Sequence, residues 1–117
     1  MSNDKGPQTR LNAYRIMWLF VFFDLPTERK KDRKNYAKFR KLLQKDGFSM
    51  MQYSVYIRHC ASFESAQVHI KRVQSILPPK GQVSILQITD KQYGRILNYW
   101  SAASKPMYET PKQLELF

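Results

Sequence analysis

The sequence predicts an α+β fold: one layer of β-strands with two helices on one of its faces. Three observations predict it. An unbroken apolar run, "IMWLFVFF", spans Ile16 to Phe23 and is closed by Asp24 and Pro26. Two later segments carry apolar residues at helical spacing, and the stretches after them carry apolar residues at a spacing of two. The order of these segments is strand, helix, one or two strands, helix, strand.

Taken in turn, Ile16 to Phe23 is rich in aromatic and β-branched residues and too short for a buried helix, so it reads as a buried strand. From about Lys30 to Lys45, Tyr36, Phe39 and Leu43, with Leu42 beside them, define a helix with a narrow apolar face, ended by Asp46-Gly47. Gly47 suits the left-handed cap. In "MMQYSVYIR", Met51, Tyr53, Val55 and Ile57 alternate with Gln52, Ser54, Tyr56 and Arg58, which reads as a strand with one apolar and one mixed face. Phe48 to Met50 is either a separate short strand or the start of this one.

Ser62 reads as the N-cap of a second helix, whose stripe Phe63, Ala66, Ile70, Val73, Leu77 is stopped by Pro78-Pro79. "QVSILQIT" after Gly81 is a further strand, and "RILNYW", Arg95 to Trp100, is an expected extra strand beyond it. Residues 1–15 read as a disordered basic tail, 16–100 as one domain and 101–117 as an extended tail. The layout is that of a ferredoxin-like βαββαβ sandwich with an extra C-terminal strand.

This layout leaves a face to be covered. Helices on one side of the sheet cannot shield both Ile16, Trp18, Phe20 and Phe22 and the opposite set Met17, Leu19, Val21 and Phe23. An exposed face of that character is a large apolar patch. A second copy stacked sheet to sheet as a two-fold homodimer would cover it; the alternative is a C-terminal tail folded back over it.

The charge narrows the partner. The chain of 117 residues has 20 Lys and Arg against 9 Asp and Glu, a net charge of +11. Such a field favours a polyanion, either nucleic acid or an anionic membrane. The apolar run is well short of the roughly 20 residues of a membrane span, so nucleic acid is the stronger expectation, and no membrane is expected. The N-terminus has no secretory character, and the single cysteine, Cys60, permits neither an intrachain disulfide nor a cysteine zinc site. A reduced, cytoplasmic setting fits.

The candidate DNA-binding residues are Arg29, Lys30, Lys31, Arg33, Lys34 and Lys38, in a basic run that continues through Arg40, Lys41 and Lys45 and is interrupted by Asp32 alone. Solvated helix faces mix signs; this one does not, and its like charges repel at helical spacing until an anion relieves them. Arg58, Lys71 and Arg72 are candidates to extend the patch. Asp24 has two readings, a turn-capping residue before Pro26 or a ligand of a hard cation such as magnesium. One carboxylate makes a poor metal site, whereas a two-fold dimer supplies two. His59 and His69 have no matching ligand spacing, and Tyr53 and Tyr56 fall on opposite strand faces rather than forming a base-stacking pair. There is no glycine-rich phosphate loop and no nucleophile elbow. Leu114, Leu116 and Phe117 close the chain as "LELF" and are candidates for partner binding by strand addition, the alternative being a disordered end.

The segments "FVFFDLPTERKKDRKNYAKFRKLLQKDGF" and "MMQYSVYIR", with the apolar last strand and the "LELF" ending, resemble the small CRISPR adaptation protein Cas-two in the form found beside type II systems. The resemblance runs from about Ile16 to the C-terminus and leaves the N-terminal tail outside it. It implies a ferredoxin-like homodimer held between two dimers of the CRISPR integrase Cas-one, with double-stranded foreign DNA lying across it before insertion into the array. It also implies a magnesium-dependent nuclease in some members, with Asp24 as the metal ligand and the catalytic group acting through the metal. The family's DNA contacts fall on Arg29, Lys30, Lys31, Arg33 and Lys34 as a patch. Two functions follow as expectations: a non-catalytic DNA-binding scaffold, or an endonuclease cutting RNA or DNA. An RNA-binding regulator built as the same small basic dimer is a third class.

Overall fold

A computed structural model describes residues 15–101; the two tails lie outside it, and with them Leu114, Leu116 and Phe117. The elements are β1 (Met17–Asp24), α1 (Lys30–Lys45), β2 (Ser49–Gln52), β3 (Val55–Cys60), α2 (Phe63–Ser75), β4 (Gln82–Thr89) and a single helical turn, α3 (Asp90–Tyr93). The strands form one sheet in the order β2-β3-β1-β4, every neighbouring pair antiparallel. This is an α+β architecture with β1 central, as the apolar run requires.

The two faces of β1 divide as the sequence predicts. Leu19, Val21 and Phe23 join Tyr36, Phe39 and Leu43 of α1, Ala66 and Val73 of α2, and Tyr56 and Cys60 of β3 in the main core. Phe23 meets Phe39 edge-on with ring centroids 5.1 Å apart. Fully burying each such side chain is worth about 1.5–3 kcal/mol. Helix α1 starts and stops where the spacing predicts. Asp32 Oδ2 accepts the Arg29 backbone N–H at 3.3 Å, and Gly47 leaves the helix with φ of 93°. Ser62 caps α2, its Oγ accepting the Ser65 N–H at 3.0 Å. That helix ends at Ser75, short of the predicted stripe, and Leu77 is exposed. A residue before proline avoids helical geometry, so Pro78 halts the helix early.

Two expectations need correction. The predicted strand through Met51–Arg58 is broken by a hairpin turn at Tyr53-Ser54, so the alternation spans two antiparallel strands, β2 and β3, with an irregular register between Met50 and Gln52. Ser54 supplies the turn with φ of 64°, a conformation that glycine or asparagine usually takes, which hides the turn in the sequence. The mixed face of β3, with Tyr56 fully buried, packs on the helices, while Val55 and Ile57 face the other way.

The expected extra strand at Arg95–Trp100 does not form among the described residues. The chain instead turns off the sheet at Thr89. Thr89 Oγ1 accepts the Gln92 N–H at 3.1 Å and Gln92 Oε1 accepts the Thr89 N–H at 2.9 Å, a reciprocal cap that nucleates α3. Arg95 and Ile96 stay in turn geometry, donating to the carbonyls of Gln92 and Tyr93. Tyr93 then stacks on Trp18 at 3.8 Å, Trp18 Nε1 donates to Asp90 Oδ1 at 2.7 Å, and Ile96 packs beside them. The segment after β4 thus covers one end of the second sheet face. Among the described residues nothing covers the rest of that face, where Phe22, Leu86, Val55 and Ile88 border an apolar depression of about 400 Å³ with Phe20, Met51 and Ile96. Among the described residues no helix is long and apolar enough to cross a membrane.

Candidate nucleic-acid interface

The basic run becomes the solvent side of α1. Tyr36, Phe39 and Leu43 turn inward, and the side chains between them turn outward. Arg29, Lys30, Lys31, Arg33, Lys34, Lys38, Lys41 and Lys45 are all exposed. Asp46 forms ion pairs with His69 and Arg72, and among the described residues no acid forms an ion pair with the exposed cations of this face. Asp32, the acid within the run, is buried. Arg33 does more than face solvent: its Nη1 donates to the carbonyls of Thr27 at 3.0 Å and Glu28 at 2.7 Å and so fixes the loop that enters the helix. Arg29, Lys30 and Lys31 place positive charge at a helix N-terminus, where the macrodipole is also positive. Asp32, in the first turn, is the one acid of the run that offsets this charge.

Arg40 is half-buried and donates to the Tyr56 hydroxyl at 3.0 Å. Arg58 and Arg72 do not extend the patch as free cations. Arg58 donates to the carbonyls of Asp46 and His59, each at 2.7 Å, and Arg72 Nη1 binds Asp46 Oδ1 at 2.9 Å. Lys71 remains exposed on α2.

His69 has the partner that sequence spacing does not reveal. Its Nδ1 lies 2.8 Å from Asp46 Oδ2, tying the middle of α2 to the end of α1. Burial works to raise the Asp46 carboxyl, but its bonds to His69 and Arg72 outweigh burial and hold it below its ordinary value. The sequence signal is indirect: His69 falls on the buried stripe with Ala66 and Val73, where a polar ring needs a partner. Cys60 is buried and free, and burial pushes its thiol up, away from reactivity.

Asp24 is exposed at the end of β1, opposite Gln82 of β4 and on the side of the sheet that the helices leave open. It borders an open hollow of about 340 Å³ with Phe22, Phe23, Tyr53, Ser54, Val55, Gln82 and Ser84. Backbone contacts frame the hollow. The Phe23 N–H donates to the Ser54 carbonyl at 3.1 Å. Gly81 has φ of 98°, and a Cβ there would come within 2.7 Å of the Asp24 carbonyl oxygen. Among the described residues no three His, Cys, Asp or Glu side chains gather into a group that could hold a metal ion. Among the described residues this hollow therefore offers the expected magnesium a single carboxylate, that of Asp24.

Comparisons with known proteins agree with this frame. A family model described as "CRISPR associated protein Cas2" matches residues 17–96. A protein of Flavobacterium psychrophilum named CRISPR-associated endoribonuclease Cas2 is 51% identical over 109 residues, which is 93% of this chain and 95% of the relative. One of the same name from Parvibaculum lavamentivorans is 54% identical over 101 residues, 86% of this chain and all of the relative. A solved structure described as a crystal structure of Cas2 matches with a TM-score of 0.50 at 18% identity, over 77% of this chain and 95% of that one, a likeness of fold alone. The chain belongs to the Cas2 family of CRISPR-associated proteins, the family its sequence resembles.

Proposed function

We propose that the protein is a homodimeric scaffold of CRISPR adaptation that binds double-stranded DNA and bridges Cas-one integrase dimers during spacer acquisition. The observation that carries this reading is the basic face of α1, with eight exposed cations and no acid paired to them among the described residues. Contacts from such a face position a duplex without reading its sequence. The strand order β2-β3-β1-β4, with α1 and α2 as its crossovers, supports a ferredoxin-like topology. The open apolar sheet face supports a sheet-to-sheet dimer. The integrase partnership follows from the resemblance.

Alanine at Arg29, Lys30, Lys31 and Lys34 together tests the reading. Duplex affinity should fall, and the slope of log K against log salt should flatten by about 0.9 for each phosphate left without its cation, roughly 3 to 4 in all. A slope equal to that of the wild type would overturn the proposal.

A second reading, a magnesium-dependent endonuclease, is favoured by the name the relatives carry and by the exposed position of Asp24. It needs a dimer mate's Asp24 and substrate phosphates to complete the ion's ligands. Asp24→Asn separates the two. The scaffold reading expects spacer acquisition at the wild-type level whatever happens to cleavage. Acquisition abolished in an intact dimer would make the nuclease the biological role.

A further inference from the structure

We propose that Lys80, in the loop between α2 and β4, is a further phosphate-binding residue of the DNA surface, set across a narrow cleft from α1. This rests on the nucleic-acid reading above and widens its contact from one helix to a helix and a loop.

The fold brings Lys80 to α1 although the sequence keeps them far apart. Strand β4 pairs with β1 so that Gln82 lies opposite Asp24, and the loop before β4 therefore meets the loop that leaves β1. The approach is close. Gly81 has φ of 98°, and a Cβ there would come within 2.7 Å of both the Asp24 carbonyl oxygen and Leu25 Cδ2. Pro78 and Pro79, directly before Lys80, have fixed φ. Backbone geometry on both sides of Lys80 thus sets where it leaves the loop, and it leaves exposed to solvent.

One flank of α1 lies across from this loop. Lys31, Asn35 and Lys38 follow at spacings of four and three, which puts them on the same side of the helix. Asn35 and Pro78 border two hollows between helix and loop, one shared with Lys80 and one with Lys38. Lys80 therefore adds a third exposed cation to the flank that carries Lys31 and Lys38. Asp32 borders the same cleft, but it is buried and accepts the Arg29 N–H, and no ion pair joins it to Lys80. An ammonium without an acid partner, beside two like charges, favours the phosphates of a polyanion.

The cleft stays accessible in the proposed dimer. Its apolar wall is Leu25 and Tyr36, which belong to the core on the helix side of the sheet rather than to the open face. Lys71, equally exposed, is placed differently. Gln67, one turn before it on α2, bonds to Gln87 of β4 at 3.2 Å, whereas Arg72, Ser75 and Ile76 border the hollow beside α1. Lys71 thus lies on the flank of α2 that looks away from the basic helix.

The test titrates the full-length protein with two blunt labelled duplexes of unrelated sequence at several salt concentrations. Lys80→Ala should weaken both duplexes alike and flatten the slope of log K against log salt by about 0.9 for each Lys80 that loses its phosphate. Lys80→Arg, which keeps the charge, should retain the wild-type slope, and so should Lys71→Ala. An unchanged slope in Lys80→Ala, an arginine variant as flat as the alanine one, weakening of one sequence only, or equal flattening by Lys71→Ala would each overturn the assignment. The alanine variant of Arg29, Lys30, Lys31 and Lys34 separates the two readings. If it flattens the slope and Lys80→Ala does not, the scaffold reading stands and the Lys80 contact fails. If neither does, both fail.

Discussion

Leu86→Asp should give a folded monomer in place of the sheet-to-sheet dimer proposed above. Leu86 lies on the open face of β4, opposite Phe20 of β1, and is 46% exposed in the single chain. It shares the apolar depression with Phe22, Val55 and Ile88. Stacked against a second sheet, a carboxylate there loses its water without gaining a partner, at an effective cost of several kcal/mol. In the single chain the same group stays wetted, and the substitution costs no more than about 1 kcal/mol of strand preference. Sedimentation should therefore report half the wild-type mass, with an unchanged far-ultraviolet dichroism spectrum. A variant of wild-type mass would rule out the sheet-to-sheet arrangement. The basic faces of α1 would then have to act one copy at a time, which would remove the geometric basis of a bridging scaffold.

Asp46→Ala should lower stability at neutral pH by about 2–3 kcal/mol, the usual cost of stranding a buried, charge-assisted partner. The carboxylate is 13% exposed and accepts from His69 at 2.8 Å and Arg72 at 2.9 Å. Most of the loss comes from His69, whose side chain is 9% exposed; Arg72 is 60% exposed, so water screens its share. The Asp46 carbonyl still accepts from Arg58 in the variant, which keeps the end of α1 in place. The pH dependence has a definite sign. The folded state holds the Asp46 carboxyl below its ordinary value of 3.8, so its contribution is complete above that value and is lost as pH falls through the lower, folded one. Urea titrations at about pH 7 and about pH 3 should show the gap between wild type and variant narrowing in acid. A gap below about 0.5 kcal/mol at pH 7 would refute the tie.

Much of the fold was legible because its strongest signals are local. The eight apolar residues from Ile16 cannot belong to an edge strand, and they form the central one. Tyr36, Phe39 and Leu43 fix which side of α1 is buried, and the basic face follows by exclusion. The missed features are held by contacts distant in sequence or by backbone conformations that side-chain type does not announce. Tyr53-Ser54 carries no turn residue that would mark a hairpin, so the alternation read straight through it. The partner of Tyr53 came from α1 rather than from its own strand. His69 and Asp46 meet only once both helices pack on the sheet. The turn α3 was signalled by Thr89 and Gln92 at capping-box spacing, but the apolar Arg95–Trp100 stretch reads more loudly as strand than a four-residue helix reads as helix. Asp24 was placed correctly at the end of a central strand, yet position alone does not gather ligands around it.

The strand order also has a consequence for synthesis. Strand β1 leaves the ribosome first, but its neighbours on both edges come later: β3 pairs Phe22 with Val55, and β4 pairs Met17 with Thr89. At about 5–20 residues per second, translation leaves the most apolar segment of the chain unshielded for several seconds. Its hydrogen-bonding edges close only when nearly all of the described chain has emerged. Topology thus sets an interval in which β1 lacks its partners, and the charge-dense α1, which emerges directly behind β1, places like charge beside it throughout that interval.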